Sequence, residues 1–161
     1  MMLIVPAAAL PARGDEGTRC TAEFDDTLSP GLSIRPSSGT FTTGGETGTV
    51  VCDGKVDGKQ PTGAGTWGAH GRYGTADPDS CTSGGEAESN HSLTVPTADG
   101  SVHSAHTAQL TYGALKGDGI IGGRFDSPEA SGTFEVTPKE GDCVTAPITR
   151  IHVRLTVTLK K

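Results

Sequence analysis

The sequence predicts an all-β domain, a single antiparallel barrel of about eight strands with a β-sandwich as the alternative. Three observations carry that expectation. The first is the end of the chain. From Arg150 onward Ile151, Val153, Leu155, Val157 and Leu159 alternate with Arg150, His152, Arg154, Thr156, Thr158 and Lys160. Successive side chains of an extended chain point to opposite sides, so Ile148 to Lys160 reads as one strand with one buried face. Its length and unbroken pattern predict a central position, paired on both edges. The second is the absence of any sustained 3.6-residue apolar period, while short alternating runs punctuated by glycine and proline recur at intervals of roughly 8–15 residues. The third is composition. There are 24 glycines and 22 threonines, but Leu, Ile, Val and Phe supply only 29 of 161 residues. That lies under the roughly 20 % at which disorder becomes an option, yet a net charge of −6 is modest and the strand patterns are regular. A folded, glycine-rich, core-poor β domain satisfies all three.

Met1 to Leu10 is almost wholly apolar and contains Ala7-Ala8-Ala9, the small-x-small form that signal peptidase accepts. Residues 1–12 are therefore expected to be a signal peptide or its remnant, with the mature chain starting between Leu10 and Arg13 and residues 13–161 forming one domain. The segment falls short of the ~20 apolar residues that span a bilayer, so no transmembrane segment is expected. Cys20 to Phe24 alternates as a first strand, and Leu32-Ser33-Ile34 reads as a second fragment stopped by Pro36. Thr40 to Thr43 is a third and Gly44-Gly45 a turn. Thr49 to Cys52 then runs into Asp53-Gly54 and Asp57-Gly58, pairs that favour tight hairpin turns. Pro61 to Gly74, around Trp67 and Tyr73, reads as a strand with bends, and Thr75 to Glu88 as a polar loop. His91, Leu93 and Val95 alternate up to Pro96, and Asp99-Gly100 turns the chain into Val102 to Tyr112. Gly117 to Phe125 and Gly132 to Thr137 are the strands before the last.

The charge is uneven. Residues 148–161 carry +4 with no acid, which leaves −10 for the rest of a chain whose total is −6. An acidic body disfavours nucleic acid, which needs a basic footprint. The basic last strand is expected to be a solvated face matched by acidic neighbours. Four cysteines in an exported protein imply two disulfides. Cys20 and Cys52 lie on the apolar side of strands, Cys81 and Cys143 in acidic loops, and pairing like with like gives Cys20–Cys52 and Cys81–Cys143. No two cysteines form a C-x₂₋₄-C half-site for zinc. His103 and His106 are three apart, which on a strand puts them on opposite faces, so no metal and no cofactor is expected. Asp53 to Gly58 resembles a calcium loop, but its third position is Lys55 and its twelfth Ala64, so it reads as a turn. Thr82-Ser83-Gly84-Gly85 and Ala69-His70 echo serine-protease segments without the accompanying aspartate, and no catalytic residue is assigned. Arg13-Gly14-Asp15 spells the integrin tripeptide, and Asn90-His91-Ser92 is a glycosylation sequon.

Gly122-Gly123-Arg124-Phe125 followed by Ala130-Ser131-Gly132-Thr133-Phe134 resembles the G-G-x-G-x-F…A-x-G segment of dirigent and allene-oxide-cyclase barrels. That likeness implies an eight-stranded antiparallel barrel holding a hydrophobic small molecule without a cofactor. Gly65-Thr66-Trp67 is similar to the G-x-W of lipocalins and avidins, in which the tryptophan closes the barrel base and a late arginine often packs on it. The whole chain also resembles small secreted proteins of high-GC Gram-positive bacteria. Small residues facing inward would leave space in a barrel, lined by Trp67, His91, His106 and Tyr112. The function expected is therefore a secreted, disulfide-stabilised barrel that binds a small, mostly apolar ligand, or a partner at the cell surface. A cofactor-free barrel enzyme of isomerase or cyclase type and a structural cell-surface protein are the alternatives. An enzyme would place an ionisable residue of shifted pKa in a cavity, whereas a structural protein would have a filled interior.

Overall fold

A computed structural model describes residues 17–44 and 48–160 of the chain. The expected leader over residues 1–12 and the Arg13-Gly14-Asp15 tripeptide lie outside the described residues. Nine strands form one antiparallel sheet: β1 (Arg19–Leu32), β2 (Gly39–Thr43), β3 (Gly48–Asp53), β4 (Gly65–Tyr73), β5 (Gly85–Thr97), β6 (Gly100–Tyr112), β7 (Ile121–Asp126), β8 (Ala130–Glu140) and β9 (Ile148–Leu159). The sheet closes on itself through β1 and β9 into a ring of eight. β2 and β3 share one place in the wall. β3 pairs with Arg19–Glu23 of β1 and Gly65–Trp67 of β4, while β2 pairs with Asp26–Ser29 and His70–Tyr73 of the same two strands. They act as one interrupted strand, and the result is an up-and-down barrel.

β9 is the staple the sequence expects, paired with β8 on one side and with β1 on the other. Its register with β1 brings Glu23 opposite Arg154 and Asp25 opposite His152, which answers the basic charge of this strand. Arg154 Nε lies 2.8 Å from Glu23, Asp25 is 2.6 Å from Lys139 Nζ and 2.7 Å from His152 Nδ1, and Arg150 meets Glu140 at 3.1 Å. Lys139, then His152, hydrogen-bond the Asp25 carboxyl and hold its pKa below the usual carboxylate value. The outer face elsewhere carries exposed Arg72, Gln109, Arg124 and Glu135, and the inner face is apolar. That is the reverse of a barrel embedded in lipid. Among the described residues no helix is long and apolar enough to cross a membrane.

Three expected boundaries move. The first strand does not stop at Phe24 but runs to Leu32, because closing the ring gives it β9 as a partner along its length. Of the expected fragment Leu32–Ile34 only Leu32 is strand, as the last residue of β1. β5 begins at Gly85, inside the segment read as a polar loop, since Gly85–Glu88 finds partners on β6. β7 is confined to Ile121–Asp126. The Asp57-Gly58 turn is present, with φ of 46° and 80° and two hydrogen bonds between Val56 and Lys59 of 2.9 and 3.0 Å. Positive φ at both central residues is the primed turn that Asp-Gly favours. It presses Val56, fully buried, into one end of the barrel beside Cys20, Val50, Val95 and Val157.

Both disulfides are those expected, Cys20–Cys52 and Cys81–Cys143. Cys20–Cys52 joins β1 to β3 at the end plugged by Val56. Cys81–Cys143 ties residues 74–84 to residues 141–147 at the other end, where four loops meet. There the Cys81 amide donates to the Ser33 carbonyl at 3.1 Å, the Leu115 amide donates to the Cys81 carbonyl at 2.7 Å, and Ser37 bridges to Asp79.

Candidate functional site: an apolar cavity with unpaired polar atoms

Along β1 the inward residues are Cys20, Ala22, Phe24, Asp26 and, partly buried, Leu28. The first three fill the barrel on the Val56 side. From Phe24 toward the end where the four loops meet, the interior opens into a cavity of about 110 Å³ walled chiefly by apolar side chains. Phe24, Phe41, Trp67, Phe125 and Phe134 face it, with Leu and Ile from β1, β6, β7 and β9 between them. Several rings stand over glycines of the neighbouring strand. Phe134 is paired with Gly123, Phe125 with Gly132, Phe41 with Gly71 and Tyr73 with Gly39. A Cβ at any of these glycines would run into the ring opposite, so each glycine provides the seat that its aromatic partner needs. The Gly122–Phe125 and Ala130–Phe134 segments singled out in the sequence form the β7–β8 hairpin that contains two of these pairs.

Three of the four residues expected to line the interior do so: Trp67, His91 and Tyr112. Trp67 and His91 come from β4 and β5 and stack with ring centroids 4.9 Å apart, with Phe24 on the far side of the indole at 6.0 Å. The partner of this tryptophan is thus a histidine, where the lipocalin-like reading expects an arginine. Trp67 is 2 % exposed and His91 6 %, and among the described residues neither Trp67 Nε1 nor His91 Nε2 has a hydrogen-bond partner. Burial, then the proximity of His106, lowers the His91 pKa to about 4, so its ring is neutral at physiological pH. Tyr112 offers the cavity its ring only, because its hydroxyl donates to Asp79. Burial first, and then that hydrogen bond, raise its pKa far above the ordinary tyrosine value. Tyr73 is committed in the same way, donating to the Pro30 carbonyl at 2.6 Å.

His106 faces His91 across β5–β6, with ring centroids 5.6 Å apart, but borders a second, more open hollow shared with Thr42, His70, Asn90 and Thr107. Its Nε2 is 2.7 Å from Ser104 Oγ and its Nδ1 is 3.7 Å from Glu129. Among the described residues no group of three His, Cys, Asp or Glu comes together to hold a metal ion.

Asp26 is the site residue that the sequence reading missed. It is 4 % exposed, faces the cavity, and accepts one hydrogen bond, from Thr43 Oγ1 at 2.7 Å. Thr43 also accepts the Ala69 amide at 2.9 Å, where β4 passes the break between β2 and β3. Desolvation raises the Asp26 pKa to about 6, partly offset by the Thr43 hydrogen bond and reinforced by Asp25. Its signal was present in the sequence: Asp26 continues the period of Cys20, Ala22 and Phe24.

The class that fold and site define is a closed, disulfide-braced antiparallel barrel with an internal apolar cavity. Comparison with family models, with curated proteins and with solved structures finds no match to the chain.

Proposed function

We propose that the protein binds a small, mostly apolar molecule inside the barrel, in an oxidising compartment outside the cytoplasm. The observation that carries this reading is the pair of unpaired polar atoms, Trp67 Nε1 and His91 Nε2, on two stacked rings that face an apolar cavity. A buried polar group without a partner costs roughly 1–3 kcal/mol, and a ligand carrying a hydrogen-bond acceptor would remove the cost at the indole N–H. The cavity of about 110 Å³ compares with the ~150 Å³ space that takes up benzene, so the ligand class is a single ring or a short branched chain with one or two polar atoms. The two disulfides support the compartment, because such bonds persist where the surroundings are oxidising, and the expected leader over residues 1–12 agrees with it. An open interior favours binding over a purely structural role.

One observation favours a second reading, a cofactor-free enzyme. Asp26, a carboxyl of pKa about 6 in a cavity, has the proton affinity that acid–base catalysis near neutral pH uses. Binding is tested with a panel of single-ring and short-chain compounds, read by thermal shift and by the fluorescence of Trp67, the single tryptophan. A ligand that binds only the folded state must raise its melting temperature. The expected result is saturable stabilisation together with a change in Trp67 emission. No stabilisation by any member at millimolar concentration refutes the reading, and chemical conversion of a bound member would select the enzyme.

A further inference from the structure

Among the described residues Asp26 is the one carboxyl that lines the cavity, and no lysine, arginine or histidine neutralises it. The influences on its charge are burial, the Thr43 hydroxyl and the like charge of Asp25, and among the described residues only Thr43 donates to it, on one of its two carboxylate oxygens. A carboxylate removed from water is costly unless it is paired. The cavity it shares is lined in part by rings whose π-faces attract cations, Phe24, Phe41 and Trp67 among them. We infer that the cavity selects a small aromatic or branched-chain amine, its ammonium group on Asp26 and its apolar body among the rings. This rests on the cavity-binding reading above and gives the ligand a charge. Ammonium donates to the other carboxylate oxygen, and the pair forms where the low dielectric strengthens it.

The charged and titratable groups around Asp26 decide the pH dependence. On β1 its neighbour Asp25 points outward into the Lys139–His152–Arg150 network. β2 offers Thr43, and β4 offers Ala69 with His70 exposed on the outside. β9 places Ile151 opposite Asp26, flanked by Arg150 and His152. Across the cavity are His91, Tyr73 and Tyr112. His91 stays neutral until about pH 4, and neither tyrosine hydroxyl is free. Between pH 5 and 8 the inward-facing group that changes charge is therefore Asp26. Amine affinity should be full above pH 6 and fall as the pH drops, by up to tenfold per unit, while the affinity of a neutral analogue should not follow that curve.

The test compares benzylamine, benzyl alcohol, toluene and benzoate on the intact protein and on Asp26→Asn, by calorimetry and Trp67 fluorescence. Benzylamine should bind at least tenfold more tightly than benzyl alcohol at pH 7.5, benzoate should bind worst, and Asp26→Asn should lose the amine preference while still binding the alcohol. Wild-type titration of benzylamine affinity from pH 5 to 8 gives a second readout that does not depend on the variant. If alcohol and toluene bind as well as the amine, or Asp26→Asn keeps the preference, or amine affinity is flat with pH, the inference is overturned and the apolar cavity stands. If none of the four binds at millimolar concentration, the cavity-binding reading fails and this inference fails with it.

Discussion

Replacing Asp26 by asparagine should stabilise the protein at pH 7.5 and change it little at pH 4. The folded-state pKa of Asp26 is raised from 3.8 to about 6. The stability that its protonation contributes is fully present below 3.8 and is lost as the pH rises through 6. A gap of about two units corresponds to roughly 3 kcal/mol at 1.36 kcal/mol per unit, which is the cost of holding the carboxylate in the cavity at neutral pH. His91 runs the other way. Its pKa is lowered from 6.5 to about 4, so its contribution is fully present above 6.5 and is lost as the pH falls through 4, again on the order of 3 kcal/mol. Between pH 4 and 6.5 the two slopes oppose each other, and the wild-type profile from this pair is nearly flat. Each single variant unmasks the other group. Asp26→Asn should lose stability on acidification as His91 dictates, whereas His91→Phe should gain stability as Asp26 dictates. Urea unfolding followed by Trp67 fluorescence at pH 4, 5, 6 and 7.5 measures each profile, and in the variant-minus-wild-type difference every shared group cancels, leaving the slope of the group removed. A variant-minus-wild-type difference that is the same at every pH would refute the burial and charge states assigned to both residues.

The disulfides close loops with sequence separations of 32 and 62 residues, and in the chain-entropy model each is worth about 4 kcal/mol. Reduction should therefore lower the urea midpoint sharply, and non-reducing peptide maps should contain Cys20–Cys52 and Cys81–Cys143 peptides and no Cys20–Cys81 peptide. Gly123→Ala should cost roughly 1–3 kcal/mol by overpacking. A second change, Phe134→Leu, should recover part of that loss, because the three atoms nearest a Cβ at Gly123 all belong to the Phe134 ring. Gly132→Ala should resist the same rescue by Phe125→Leu, since its Cβ also meets the Thr156 carbonyl; chemical denaturation of the four variants separates the cases. N-terminal sequencing of protein recovered from the culture medium or periplasm should start between Leu10 and Arg13, and an intact Met1 on a cytosolic product would remove the export reading.

The barrel was legible where one face of a strand is buried and the other is wet. β9 shows this cleanly from Val153 to Val157, and so do His91-Leu93-Val95 of β5 and the Asp57-Gly58 turn, whose positive φ values need that residue pair. Disulfide pairing was legible for a related reason: Cys20 keeps the phase of Ala22 and Phe24 and so faces inward at the register of Cys52. What could not be read was that β2 and β3 are one wall strand. Gly44-Gly45 reads as a turn that parts two separate strands, and the pieces are collinear only because the ring offers both the same neighbours. Asp26 was missed for a related reason. Asp25-Asp26 looks like a solvated acidic end to a strand, and only the pairing of β1 with β9 beyond Phe24 keeps the apolar phase running into it.

The interior space has a different cause from the one its composition suggests. With few large side chains and many glycines, a barrel of this size is expected to be roomy, as if each glycine left a hole. The structure fills the space at those glycines with rings: Phe134, Phe125, Phe41 and Tyr73 stand over Gly123, Gly132, Gly71 and Gly39. Pairing the smallest residue with the largest across a ladder preserves the packed volume while fixing where each ring can lie. The cavity that remains, about 110 Å³, is therefore small, and its boundary combines seated aromatics with the aliphatic chains between them. Such a wall cannot easily collapse on an empty space, because a ring leaving its glycine would open a second void behind it. Seated rings, two ring nitrogens without a partner among the described residues and a carboxylate held by the Thr43 hydroxyl together make a pre-formed site, in which little of the binding free energy is spent on ordering the protein.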